Sequence, residues 1–204
     1  MPRHADPDLE DRILNAAHAL WQRGGEESLT MRAVARAARS NTPAVYRRFK
    51  NRQDIVRALL RRIQESLRVA IEDRQSIEEI AEAYLDFALH HPHEYELFFT
   101  HARDLSPRKS AGRPRPIRES RPNMALLERR LAERLGGSPE DHTRLGLALW
   151  AAAHGAAMLL LQKALPEGHE LELREAFGLT VTAVLKAAPA AAQVKAARQR
   201  GDKS

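Results

Sequence analysis

Apolar residues recur at helical spacing along nearly the whole chain, and no stretch alternates apolar and polar residues as a half-buried strand does. Leu9, Ile13, Ala16, Ala17, Leu20 and Trp21 share one face of a first helix of about four turns, which Gly24-Gly25 ends. Thr30 precedes MRAVARAA, where its hydroxyl can cap the free amides of a short second helix running to about Ala38. Thr42-Pro43 opens a third. Proline lacks an N–H that the first helical turn leaves unpaired anyway, and it pushes Thr42 into the extended geometry of a capping residue. A fourth helix, beginning near Gln53, carries Ile55, Val56, Leu59, Leu60, Ile63 and Leu67.

Ile77, Ile80, Ala81, Tyr84, Phe87 and Ala88 form a further stripe, ended by Pro92, and PHEYELFFTHAR restarts as a short helix. Residues 104–122 hold four prolines and six bases without periodicity and read as a mobile loop. Met124 to Leu135 is helical up to Gly136-Gly137, and Ser138-Pro139 caps a long helix reaching about Ala164. Leu171 to Ala188 makes the last. The expected fold is all-α, with about nine helices. Residues 189–204 are alanine-rich and basic, lack an apolar stripe, and are expected to fray as a disordered tail.

At 204 residues the chain can bury a sizeable core. It has no cysteine, which excludes disulfides, thiolate metal sites and cysteine nucleophiles. The opening MPRHADPDLEDR carries acids and no apolar segment, so it is not a secretory signal, and a cytoplasmic location is expected. Leu145 to Gln162 is uncharged but alanine-rich, with His154, Gly146 and Gly155 inside it, whereas a membrane span needs about 20 strongly apolar residues. It reads as a buried helix, with no membrane partner. No phosphate loop, dinucleotide fingerprint, nucleophile elbow or zinc motif is present, which leaves an enzyme without local support and implies no cofactor. His90, His91, His93 and His101 lack HExxH spacing, and no metal site is expected there.

The charge is uneven. Of 33 Lys+Arg and 27 Asp+Glu, the first 62 residues hold 13 and 7, leaving 20 of each sign for the rest, so the whole surplus of +6 sits in the first third. Within residues 30–62 stand ten bases and one acid, Asp54. The stretch RSNTPAVYRRFKNR, Arg39 to Arg52, crowds four arginines and a lysine around Pro43, Tyr46 and Phe49. Val45 and Phe49, four apart, can turn inward and leave Thr42, Pro43, Tyr46 and Arg47 on the outer face. That is the footprint of a nucleic-acid module. Three helices, a turn of about three to four residues between the second and third, and a basic outer face on the third make a helix-turn-helix. Such a fold lays its recognition helix in the major groove of duplex DNA.

Residues 9–62 resemble the DNA-binding domain of the TetR/AcrR family of transcriptional repressors, through ILNAAHALW, LTMRAVARAA, TPAVYRRF and KNRQDIVRALL. The resemblance implies that Arg32 reads a base and Thr30 contacts a phosphate. It puts Thr42, Pro43 and Ala44 at the groove-facing start of the recognition helix, with Pro43 and Ala44 against thymine methyl groups. Tyr46, Arg48 and Arg52 match phosphate-binding positions, and Arg47 reaches either target. One departure stands in the turn, where the family has glycine and then a buried aliphatic, and this chain has Arg39 and Ser40. Arginine at positive φ costs roughly 1 kcal/mol, which leaves room for a locally rebuilt turn.

Residues 63–188 are expected to form a ligand-binding and dimerisation domain after the helix-turn-helix domain of residues 1–62. WAAAHG at 150–155 resembles the WHG signature of one TetR-like C-terminal domain, and AYLDFALHHPHEYELFF that domain's central helices. Leu147, Trp150, His154, Met158 and Leu161 make a bulky stripe, suited to filling a core or lining a cavity. Ala148, Ala151, Ala152, Gly155 and Ala156 are small, so a second helix can approach closely. Trp150, His154 and Met158 are the candidate ligand residues. The resemblance implies a homodimer joined through the last two long helices, a palindromic double-stranded operator, and release by a small, largely apolar effector. The alternative from another class is a helical small-molecule sensor or carrier whose basic end serves solubility; salt-dependent binding of duplex DNA separates the two.

Overall fold

A computed structural model of the protein describes residues 8–101 and 116–201, with side chains described up to residue 188. Among these residues lie ten α-helices and no strand. The chain divides into two compact units: residues 8–63 with 95–101, and residues 64–94 with 116–201.

In the first unit α1 (Leu9–Gly24) buries Leu9, Ile13, Leu14, Ala16, Ala17 and Trp21, the stripe expected from their spacing with Leu14 added and Leu20 only half-buried. It packs on α2 (Met31–Ala37), which packs in turn on α3 (Thr42–Arg48). Ile55, Val56, Leu59 and Leu60 of α4 (Arg52–Glu72) complete this core. The unit also takes in the end of α6 (Pro92–Thr100), a stretch that sequence spacing assigns to the second domain. Its Tyr95 and Leu97 are buried, and His101 stands edge-on to Trp21 with ring centroids 5.3 Å apart.

In the second unit α5 (Ile77–His90) starts with a reciprocal cap, in which the Glu79 amide donates to Ser76 Oγ and the Ser76 amide to Glu79 Oε2, both at 3.1 Å. Backbone donation from Ser76 and then Gln75 holds the Glu79 carboxyl below its ordinary pKa. Helix α9 (Thr143–Leu161) packs against α5, α8 (Pro122–Leu135) and α10 (Glu170–Gly201). It meets α8 closely at Gly146, where a Cβ would stand 2.9 Å from Met124 Sδ.

Four sequence expectations change here. Residues 102–115, the greater part of the expected mobile loop, lie outside the described residues, but the remainder is ordered: Ile117–Ser120 is helical (α7) and Pro122 begins α8. The long helix expected from Ser138 is broken into a 3₁₀ turn, Pro139–His142, and α9. Helix α10 continues to Gly201 where a frayed tail is expected, because alanine's helix propensity needs no apolar stripe; residues 202–204 lie outside the description. Finally, α9 is not buried all round. Gly146, Leu149, Ala153, Ala156 and Ala157 face inward, while Leu147, Ala148, Ala151, Gly155 and Leu159 are exposed. The segment Pro139–Leu161 is apolar and long enough to span a membrane, and its inner face is instead covered by protein helices.

Candidate nucleic-acid interface

The helix-turn-helix is built from α2, its turn and α3. Thr30 caps α2, its Oγ1 accepting from the Ala33 amide at 3.1 Å. At the other end the Ser40 amide donates to the Ala35 carbonyl (2.9 Å) and the Arg39 amide to the Arg36 carbonyl (3.2 Å), a Schellman turn with Arg39 at φ 52°. The turn is therefore not rebuilt around the missing glycine. Arginine adopts the left-handed conformation because two satisfied carbonyls hold it there.

Asn41, not Thr42, caps α3: its Oδ1 accepts from the Ala44 amide at 2.9 Å, with Asn41 extended at φ −104° and ψ 155°. Thr42 is the first helical residue and Pro43 the second. The signal was present, since asparagine caps more strongly than threonine.

Val45 is fully buried and Phe49 nearly so, which rotates the opposite face outward. Tyr46 is 52% exposed, and Pro43, Arg47 and Arg48 are exposed with it; Thr42 is half-buried. Arg32 and Thr30 are exposed on α2. Ala44 is the correction: it is 5% exposed and faces the interior, so its methyl group does not line a groove. Arg52, exposed at the start of α4, is joined to Glu26, Nη2 to Oε1 at 2.7 Å. Nothing in the sequence pairs those two residues, which stand 26 apart. Asp54, the lone acid of the region, bonds to Arg57, which holds its carboxyl below the usual range, and it also accepts from the Lys50 amide at 3.0 Å. Its charge is spent within the start of α4, leaving the α3 face basic.

The candidate ligand residues share the second unit. Trp150 Nε1 donates to Tyr84 Oη at 3.1 Å, bringing in a tyrosine that spacing had marked only as part of the α5 stripe. Trp150, His154 and Met158 are half-buried at the border of the inward face of α9, whose deepest positions are Leu149, Ala153 and Ala157. Desolvation lowers the His154 pKa below its ordinary value. Of the four histidines at 90–101, His90 bonds the Asp86 carbonyl, His91 lies on Phe87, His93 is exposed and His101 meets Trp21. Among the described residues no group of three or more His, Asp or Glu is placed to hold a metal ion.

An all-α chain with a capped, basic recognition helix projecting from a small core is a helix-turn-helix DNA-binding regulator. The model of bacterial regulatory proteins of the tetR family matches residues 13–59, and that of the Tetracyclin repressor-like C-terminal domain residues 77–198. The chain belongs to the TetR family of transcriptional regulators. Comparison with curated proteins found no match. Among solved structures, the fold is similar to a TetR-family regulator from Streptomyces coelicolor (TM-score 0.62, 22% identity, 87% of this chain and 98% of that one). It is also similar to EbrR, a multidrug binding protein solved with imidazole (TM-score 0.64, 23% identity, 90% and 93%). A third is TetR from Acinetobacter baumannii AYE (TM-score 0.53, 18% identity, 85% and 93%).

Proposed function

We propose that this protein is a cytoplasmic, homodimeric repressor that binds a palindromic DNA operator and is released by a small molecule. The observation that carries the reading is the outward face of α3, where Pro43, Tyr46, Arg47 and Arg48 are all exposed while Val45 is fully buried. Tyr46 and Arg48 serve as phosphate contacts, Arg32, Thr42 and Pro43 as base-edge contacts, and Thr30, Arg47 and Arg52 as flanking groups. Two copies of α3 would enter successive major grooves, roughly 34 Å apart, on one face of the duplex. The uncovered apolar stripe of α9 supports self-association, since a soluble chain rarely leaves such a face bare.

The effector reading is supported by Trp150, His154 and Met158, all half-buried, with Trp150 bonded to Tyr84, and by the imidazole-bound multidrug protein among the structural neighbours. An effector acts only through a difference in affinity between DNA-competent and incompetent spacings of the two recognition helices.

The test is a salt titration of duplex binding, first with the DNA upstream of the protein's own coding sequence. Tyr46→Phe and Arg48→Ala weaken binding to every duplex, whereas Arg32→Ala and Pro43→Ala shift sequence preference by about 1–3 kcal/mol at the contacted base pair. Binding that stays weak and sequence-blind at low salt would sink the assignment.

A further inference from the structure

Arg52 is held twice by one residue: its Nη2 lies 2.7 Å from Glu26 Oε1, and its Nη1 donates to the Glu26 main-chain carbonyl at 3.4 Å. Glu26 opens the 3₁₀ turn Glu26–Ser28 that follows α1. Its other carboxylate oxygen, Oε2, stands 3.5 Å from His101 Nε2, and the His101 side chain is only 11% exposed, wedged edge-on against Trp21. The carboxylate thus has the His101 ring as its neighbour on the protein side and presents its other oxygen to Arg52 on the solvent side.

A carboxylate and a phosphodiester recognise a guanidinium by the same charge-assisted, forked hydrogen bonds, so they compete for it. We propose that Glu26 is an internal competitor for backbone phosphate, occupying Arg52 in the free protein and limiting sequence-independent DNA affinity until a phosphate displaces it. The inference rests on the DNA-binding reading of α3. Arg52 and Glu26 side chains are 44% and 42% exposed. An ion pair this wet adds little to stability, so removing it changes binding and leaves the fold intact.

The experiment titrates a labelled mixed-sequence duplex with the full-length wild type and with E26Q, E27Q, R52A and E26Q/R52A at a fixed low salt concentration. Glu27 is the adjacent exposed acid, and E27Q removes the same charge without touching the pair. E26Q is expected to bind about two- to fivefold more tightly per bound subunit, the range an exposed ion pair allows. E27Q gains less, and the E26Q gain disappears when Arg52 is already alanine. Equal gains from E26Q and E27Q, or an E26Q gain that survives in the R52A background, would overturn the inference by assigning the effect to bulk charge. An E26Q affinity equal to that of the wild type would overturn it outright. A wild type that does not bind the duplex at all overturns instead the DNA-binding reading on which it rests, an outcome visible before any variant is compared.

Discussion

Glu128 of α8 and Arg118 of α7 pair at 3.0 Å, Oε2 to Nη2, with the carboxylate completely buried. The other oxygen of Glu128 accepts from Thr143 Oγ1 at 2.6 Å, so α7, α8 and α9 meet on one acid. Arg118 also pairs with Glu140 at the 3₁₀ turn before α9. Burying a carboxylate is expensive, and the attraction to the half-buried Arg118 roughly repays that cost without surplus. Stranding one partner is therefore far worse than removing both. Arg118→Met should cost about 3–5 kcal/mol in urea unfolding, and adding Glu128→Leu should return most of that loss. Equal losses from the single and double variants would show that the pair does not act as a unit.

Arg39 at φ 52° and Lys163 at φ 49° hold the positions at two helix ends that glycine usually takes. The Lys163 turn closes α9 as Arg39's closes α2: the Ala164 amide donates to the Leu159 carbonyl at 3.0 Å and the Lys163 amide to that of Leu160 at 3.1 Å. Glycine at either site relieves the steric strain of a side chain at positive φ, offset in part by the freedom it adds to the unfolded chain. Arg39→Gly and Lys163→Gly should each gain about 0.5–1 kcal/mol in thermal or chemical unfolding. Arg39→Val should lose stability, since a β-branched side chain tolerates this region worse than arginine.

Most of the helices were legible because their apolar residues recur at one period, and periodicity survives without knowledge of what packs against it. The α3 face was legible for the same reason: once Val45 and Phe49 turn inward, Tyr46 and Arg47 have nowhere else to point. What sequence reading missed depends on partners distant along the chain. Ile117–Ser120 looks like loop until Arg118 finds Glu128, and Arg52 looks like a free cation until Glu26 is seen beside it. Ala44 went wrong by one step of rotation, since a helix of seven residues gives too few apolar positions to fix where the buried sector ends. The outer stripe of α9 misled in the opposite way. Composition marks it for burial, and nothing among the described residues covers it.

Half-burial strips solvent from His154 and depresses its pKa from an ordinary 6.5. The unfolded chain then takes up the proton first as pH falls. Above 6.5 both states are neutral at this residue and it adds no pH dependence; below 6.5 stability declines until the folded-state pKa is also passed. The carboxyl groups with lowered pKa, such as Glu79, begin from an ordinary value of 4.5 and act at lower pH. Unfolding free energy should therefore begin to fall as pH drops below about 6.5, and His154→Gln should flatten the interval between there and the carboxylate range while leaving the acid limb unchanged. Urea midpoints measured across the interval decide it, and an unchanged slope in the variant would remove His154 as the cause.

Two glycines on the outer faces of the last two helices give the dimer reading its sharpest test. A Cβ built on Gly155 of α9 or Gly178 of α10 meets nothing within 4 Å among the described residues, which leave room for a large side chain at both positions. Beside them Leu147 and Leu159 on α9 and Leu171 and Leu179 on α10 are exposed, Leu179 by 72%. If a second copy covers these helices, close approach over the glycines is what lets the flanking leucines meet. Gly155→Leu and Gly178→Leu should then keep the helical content and monomer stability, since leucine favours helix and nothing among the described residues obstructs it. Each should weaken self-association by about 2 kcal/mol or more, roughly thirtyfold, as measured by sedimentation equilibrium. Operator affinity should fall in parallel, because a lone recognition helix loses the second half-site. Variants that still sediment as dimers with the affinity of the wild type would place the subunit interface elsewhere on the molecule.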